Sequence, residues 1–419
     1  MNKIIVSEIN VTGGLLRIRY DVTSGVEQYF TAARLFEAEY SEDISAVPLS
    51  VLVIPFVCNV LPIAWLADAV LEVPQLDKEF YEGISGVLEG YRNMSPMLEF
   101  KGSVKVGELV DNSYTPSDQV GALFSGGVDA FATLIAHADE KPRLVTLWGA
   151  DVKLTDTEGW ERVKQHAEDT CREFDLAAPL LVRSNFRLLV NEGTLGILVA
   201  ASGDGWWHGY QHGIALLGHT APVAFLHQWR TIYIASSNTP DKKIICASDP
   251  TIDNEVHLVS TKVWHDQYVY NRQQKVQHIV EYCQETGRVV QLRVCWQSEG
   301  GSNCGYCEKC IRSLYNLLAE GVNPASYGFE TWEKQTWMYE PFIRGSMNKA
   351  IYIPTYWLDI QNRFQKTQAY RNDKRINWIY RLDVNCPLTM FMRLKGVLRH
   401  RLPIVWHFLR SIKSLVRAR

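Results

Sequence analysis

Four of the chain's nine cysteines, Cys295, Cys304, Cys307 and Cys310, stand in "CWQSEGGSNCGYCEKC" with the spacing C-x8-C-x2-C-x2-C. A C-x2-C pair in a tight turn aims two sulfurs at one centre. A third cysteine at the next step and a distant fourth complete the tetrahedron that Zn²⁺ prefers. Gly305 suits the left-handed turn of such a knuckle, and Ile311–Leu318 reads as the helix it leads into. An iron–sulfur cluster competes, because C-x2-C-x2-C also occurs in cluster binders. The Cys-Pro that usually follows such a run at close spacing does not follow Cys310. Four protein thiolates leave no open position on the ion, so the expected centre is closed and structural.

A second stretch, "VGALFSGGVDAFATLIAHA" (Val120–Ala138), sets Ser-Gly-Gly between a short apolar run and a helix-like segment. Val120–Phe124 reads as a buried parallel strand and Val128–Ala138 as a helix. Glycines at the junction allow positive φ and close backbone approach. The helix start adds unpaired N–H groups and the positive end of its dipole, which together favour an anion. A plain strand-to-helix turn with a serine cap is the competing reading of these residues alone.

The elements that must position these residues follow from texture. The length of 419 residues allows two or three domains, and 47% apolar with 21% charged content describes a globular protein. A net charge of −3 argues against a protein built mainly to bind nucleic-acid backbone. The N-terminus lacks a long apolar leader, and the apolar run Val47–Leu71 holds three prolines and reads as strand-sized pieces. A cytoplasmic protein is expected, its cysteines thiols or metal ligands rather than disulfides. Residues 1–115 read as a β-rich α+β module around one helix, "DKEFYEGISGVLEGYRNM". Residues 116–322 alternate strand and helix, which predicts an α/β fold with a doubly wound parallel sheet. Residues 323–419 read as a mostly helical, aromatic and basic extension. From Phe391 onward it holds eight Lys or Arg and no acid. That tail reads as a helix packed on the domain, as an interfacial helix on anionic lipid or as a nucleic-acid contact, with Pro403 imposing a break near Arg401.

"SGGVDA" resembles the SGGxDS signature of the PP-loop ATP pyrophosphatases. The four-cysteine spacing is similar to that of one branch, the 7-cyano-7-deazaguanine synthases. The resemblance covers about half the chain, residues 118–322. It implies an adenine nucleotide alpha hydrolase type of sheet, with ATP and Mg²⁺ at the loop and Zn²⁺ at the cysteines. Ser125, Gly126, Gly127 and Asp129 match the pyrophosphate loop, and Cys295, Cys304, Cys307 and Cys310 match the zinc ligands. The final Ser of the signature is Ala130 here, which removes a hydroxyl but leaves the backbone donors. The flanking regions have no counterpart in the short synthases.

The resemblance implies adenylation: a carboxylate or carbonyl oxygen of a small molecule attacks the α-phosphate, and an amine or ammonia then displaces AMP. Asp129 would orient Mg²⁺ or the loop. Arg187 in "SNFR" and His265, Arg272 and Lys275 in "WHDQYVYNRQQK" are the candidate cations for the developing charge. Arg272 and Lys275 read equally as a solvated helix face. His208 and His212 in "WWHGYQHG" have i, i+4 spacing, which suits a second metal or, without the H-E-x-x-H glutamate, a packed aromatic helix start. The expected partners are a small carboxylate and an amine donor, with no specific nucleic acid. A homodimer and peripheral membrane contact through the basic tail remain open. An AMP-forming epimerase acting on a cell-wall precursor and a non-catalytic nucleotide sensor are the alternatives.

Overall fold

Alternating apolar residues in the first part of the chain form β1 (Asn2–Thr12), β2 (Leu15–Val22) and β3 (Leu35–Tyr40), each burying every second side chain over much of its length. The computed structural model describes residues 2–241, 244–296, 301–347, 349 and 352–385. The apolar run Val47–Leu71, expected as strand pieces, instead forms α1 (Leu49–Leu52), α2 (Ile54–Leu66) and the start of β4 (Ala69–Asp77). Twelve of the thirteen residues of α2 are buried, so no polar face marks it as a helix. Pro48 precedes α1 and Pro55 lies in the first turn of α2, where proline costs a helix little. Asn59, buried in α2, donates to the Pro55 carbonyl (2.8 Å) and accepts from Gln211 (3.0 Å). The expected helix of this region is α3 (Lys78–Met94), capped by Asp77, whose carboxylate accepts from the Phe80 N–H; β5 (Ser103–Val110) follows.

The βα alternation then appears as β6 (Val120–Leu123), α4 (Val128–Ala136), β7 (Arg143–Trp148), α5 (Thr157–Glu173) and β8 (Leu180–Ser184). Next come α6 (Glu192–Leu198), a π-helical turn at Trp207–Gln211, α7 (His212–Leu226) and β9 (Thr231–Ala235). A short α8 (Pro250–Asp253) leads to β10 (His257–Leu258) and β11 (Thr261–Asp266). One sheet takes in all eleven strands, in the order β10-β11-β9-β6-β7-β8-β3-β2-β1-β4-β5. Its pairings are mostly parallel, and the run β11-β9-β6-β7-β8 is wholly so. From β6 the chain steps outward through β7 to β8, then returns past β6 to β9 and on to β11. That reversal is the doubly wound order, and right-handed crossovers then put α4 and α5 on one face and α7 on the other.

The N-terminal strands join this sheet through β3, which pairs antiparallel with β8 (Ala38 with Ser184, Tyr40 with Val182). Residues of both regions also share one hydrophobic core. The chain accordingly divides into two compact units, Met1–Asn271 with Glu299–Gly301, and Arg272–Ser298 with Ser302–Arg419. The expected boundary near residue 115 thus falls inside the first unit, and the cysteine loop belongs with the C-terminal helices. The second unit is built of α9 (Arg272–Thr286), α10 (Glu308–Ala319), α11 (Trp332–Ser346) and α12 (Pro354–Thr367), and Tyr315 on α10 centres an aromatic cluster. Its ring meets Tyr339, Trp357, Phe364 and Trp378, and its hydroxyl accepts from the Trp378 indole (3.0 Å). Among the described residues no helix is long and apolar enough to cross a membrane.

Gly121 sits where β6 meets the α7 side of the sheet. A Cβ there would lie 2.4 Å from the Trp229 ring and 2.8 Å from Ile232 Cδ1. Gly121→Val is expected to cost about 1–3 kcal/mol through overpacking, read as a lower urea midpoint with an unchanged slope.

Candidate functional site

The crevice outside the carboxyl ends of β6 and β9 is the switch point of the doubly wound segment, where such sheets bind ligands. The Ser-Gly-Gly turn lies there. Its entry is fixed because the Phe124 N–H donates to the Val145 carbonyl (2.8 Å) and Thr146 Oγ1 donates to the Phe124 carbonyl (2.9 Å). Gly126 has φ +75°, a left-handed conformation that a side chain resists. Gly127, at φ −81° and ψ 172°, caps α4 without a side-chain bond, and its N–H makes a long contact of 3.4 Å to Ser125 Oγ. Ser125 is exposed. Asp129 in the first turn of α4 accepts from Ser237 Oγ (3.3 Å), which tethers the turn to the segment leaving β9. The structure therefore puts Ser125, Gly126, Gly127 and Asp129 at the carboxyl end of β6, beside the switch point of the sheet. Ala130 is buried.

Arg187 follows β8 at the same end of the sheet. Glu192 accepts from its Nε (2.7 Å) and Nη2 (2.9 Å), the Ala150 carbonyl accepts from Nη1 (2.7 Å), and the guanidinium lies 4.3 Å from the Trp207 ring centre. Its charge is thus balanced in place, and it acts as a strut of the rim rather than an uncompensated cation. His265, on β11, is likewise committed. Its Nδ1 lies 2.7 Å from Asp253 Oδ2, which also accepts from Ser248 Oγ (2.7 Å), and both partners are buried. This knot joins α8 to β11. Arg272 and Lys275 stand at the start of α9 in the second unit, and Lys275 is 1% exposed. The solvated-face reading fails for Lys275, since a charge that deep requires partners.

His208 and His212 belong to a packed aromatic helix start, and among the described residues they join no metal-ligand cluster. The π-helical turn places the two on different elements; His208 Nδ1 bonds Asp204 Oδ2 (2.7 Å) and the His212 ring packs edge-on to Trp207. A feature invisible in the sequence lies at the other end of α4. His137 Nδ1 is 2.6 Å from Glu140 Oε1, its Nε2 is 3.3 Å from Asp266 Oδ1, and its ring stacks on Tyr233. Burial pushes the His137 ring down, but its bonds to Asp266 and Glu140 outweigh this and hold it above its usual value. Burial raises Asp266, and His137, with smaller help from Thr133 and Gln267, more than reverses that, so Asp266 lies below its usual value. The stabilisation from His137 is present below about pH 6.5 and lost as pH rises through its raised value. That from Asp266 is present above about pH 3.9 and lost as pH falls through its depressed value. His137→Asn is expected to flatten the decline in urea midpoint on the alkaline side, measured from about pH 6 upward.

In the second unit the four cysteines converge. Their sulfurs all lie within 4.8 Å of one another, with Cys295–Cys307 and Cys304–Cys310 each at 3.9 Å. A tetrahedral ion with metal–sulfur bonds of about 2.3 Å gives sulfur–sulfur edges of about 3.8 Å. The cluster could therefore hold a single metal ion such as zinc. Gly305 adopts φ +73°, a left-handed conformation that favours glycine, and the Gln335 amide packs where a Cβ would stand. Cys307 is also the N-cap of α10, its sulfur accepting from the Cys310 N–H (3.4 Å). The crowded thiols, Cys295 first, push Cys307 up to about 12 and Cys310 up as well. A divalent cation reverses that preference, because it binds thiolate.

Sequence reasoning missed Asn303. Its Oδ1 accepts from the Val294 (2.9 Å) and Cys295 (3.3 Å) N–H groups, and its Nδ2 donates to the carbonyls of Leu292 (2.7 Å) and Gly328 (2.9 Å). This one amide carries Cys295 to the knuckle. Its position beside Cys304 was the available signal, but asparagine is too common in loops to stand out. The basic tail from Phe391, with Pro403, lies outside the described residues.

The first unit is an α/β structure with a large, mostly parallel sheet, and the second a helical unit carrying a candidate metal centre. No family model, curated protein or solved structure matches the chain.

Proposed function

We propose that the chain is a PP-loop ATP pyrophosphatase, built on an adenine nucleotide alpha hydrolase sheet and similar in plan to the 7-cyano-7-deazaguanine synthases. It adenylates a carboxylate or carbonyl oxygen of a small molecule, releases pyrophosphate, and passes the activated group to an amine or ammonia. One observation carries this reading: the Ser-Gly-Gly turn lies at the switch point of a doubly wound sheet, with Gly126 at φ +75° and α4 opening directly behind it. A phosphate there meets the first N–H groups of α4, including that of Gly127, whose long contact to Ser125 an anionic oxygen can replace. In this reading Asp129, tied to Ser237, holds Mg²⁺ against the phosphates. Zinc at the four cysteines fixes the loop and supplies no water for chemistry. The compartment is the cytoplasm, and the partners are the small carboxylate and its amine.

Ala130 favours a second reading, a nucleotide sensor without turnover. Pyrophosphate release measured with ATP, Mg²⁺ and a panel of carboxylates separates the two. Release that depends on a carboxylate is the expected result. ATP binding without any release across the panel would leave the sensor, and absence of ATP binding would remove both.

A further inference from the structure

The loop between two of the candidate metal ligands does not stay with them. Cys295 and Cys304 belong to the second unit, yet the stretch Glu299–Gly301 between them belongs to the first. Gly301 has φ +71°, in the left-handed region that favours glycine. A Cβ on it would stand 2.5 Å from the Gly159 carbonyl oxygen and 3.3 Å from Val163 Cγ2. Gly301 therefore lies directly on the first turns of α5, closer than a side chain would permit. Gly159, Val163 and His166 follow one another at i, i+4 and i+7, on one face of that helix. At the far end of the row the His166 ring lies nearly parallel to that of Phe124, with centroids 6.1 Å apart, and edge-on to Phe131, at 6.0 Å. Phe124 is the residue before Ser125, and Phe131 stands in the first turn of α4. Trp160, next to Gly159, stacks on Trp148 at the end of β7, with centroids 5.2 Å apart. Thus α5 backs the Ser-Gly-Gly turn on both its strand side and its helix side, and Gly301 bears on the end of α5 that faces the rim.

We propose that the metal centre is a clasp on the nucleotide rim: by closing the loop from Cys295 to Cys304 it holds Gly301 on α5, and α5 holds Phe124 and Phe131 in place behind the phosphate turn. The physical reason is loop entropy. Eight residues separate the two cysteines, and with both on one ion the ends of that loop are fixed, their sulfurs within 4.8 Å of each other. Seating Gly301 then orders a short closed loop. Without the ion the same contact must order a chain whose ends are free, which costs more conformational entropy. The ion takes no part in chemistry; its occupancy is read at the rim as order in α5. Such coupling is reciprocal, so a ligand bound at the turn tightens the hold on the ion. The proposal rests on the proposed function only for the identity of that ligand, ATP.

The test follows amide hydrogen exchange over residues 160–166 in the full chain without nucleotide, with β6 and α7 as the reference for the fold. Three samples are compared: the zinc-loaded chain, the chain stripped with EDTA to a measured loss of zinc, and zinc-loaded Gly301→Val. Stripping is expected to speed exchange over residues 160–166 by roughly tenfold or more while β6 and α7 keep their protection. Gly301→Val is expected to do the same with its zinc retained, because the four cysteines are untouched and only the seat on α5 is blocked. Unchanged exchange in the stripped chain overturns the proposal. So does acceleration spread equally over β6 and α7, which would make the ion a support of the whole fold. A Gly301→Val chain with full zinc and wild-type exchange overturns it as well. ATP titration of the same samples is read separately: no binding to the zinc-loaded chain removes the adenylation reading, while the clasp stands or falls on the exchange rates.

Discussion

Cys307→Ser is expected to release the metal and to unfold the cysteine knuckle, lowering the melting temperature of the chain by far more than a surface substitution would. Serine is an excellent helix cap, so the bond from Cys307 to the Cys310 N–H has a ready replacement and α10 keeps its start. What is lost is one ligand of four. Structural zinc contributes roughly 10–16 kcal/mol of apparent binding free energy in small folds, and that energy is folding energy. Cys304 and Gly305 lie in a loop pinned by Asn303. Elemental analysis of the wild-type chain should give about one zinc per chain, and the variant much less. Iron and a brown colour would point to a cluster instead. A variant with full zinc and an unaltered melting curve would remove Cys307 from the ligand set.

The parts of this structure that were legible in the sequence are those whose signal is local. The strand–turn–helix around Ser125–Gly127 combines an apolar run, two glycines and a helical period, so its elements form where they were expected. The cysteine spacing is equally local, and the sulfurs do converge. Signals fail where burial or distant pairing decides. In α2 every face is buried, so the helical period vanishes and the prolines mislead. The joint between the first strands and β8 is a pairing of Ala38 with Ser184, far apart in the chain, and nothing in either strand announces it. Arg187 read as a free cation because its carboxylate lies five residues on and its aromatic partner twenty. Lys275 read as either a catalytic cation or a solvated one, because charge in a polar stretch is usually solvated, yet tertiary packing buries it. Side-chain types revealed where chemistry is possible, whereas the partners that neutralise or orient them came only with the fold.

Gly127→Val is expected to abolish ATP binding while leaving the fold intact, and the two glycines of the turn differ in a way that makes this the discriminating change. Gly126 has φ +75°, so any L side chain there strains the backbone by about 1–2 kcal/mol and confuses a binding defect with a folding one. Gly127 has φ −81° and ψ 172°, a region β-branched residues occupy readily. It also makes no side-chain cap bond that valine would remove, so the stability cost should stay within about 1 kcal/mol. Its role in the proposed site is to leave the space in front of the α4 N–H groups open to a phosphate. A branched side chain fills that space and screens the donors, and loss of the phosphate contacts should weaken ATP binding by on the order of 100-fold or more, about 2.7 kcal/mol. Calorimetric titration of ATP into both chains, beside their melting curves, measures the two effects separately. Equal affinity in a variant that melts with the wild type would show that the turn only joins a strand to a helix, and the adenylation reading would lose the observation that carries it.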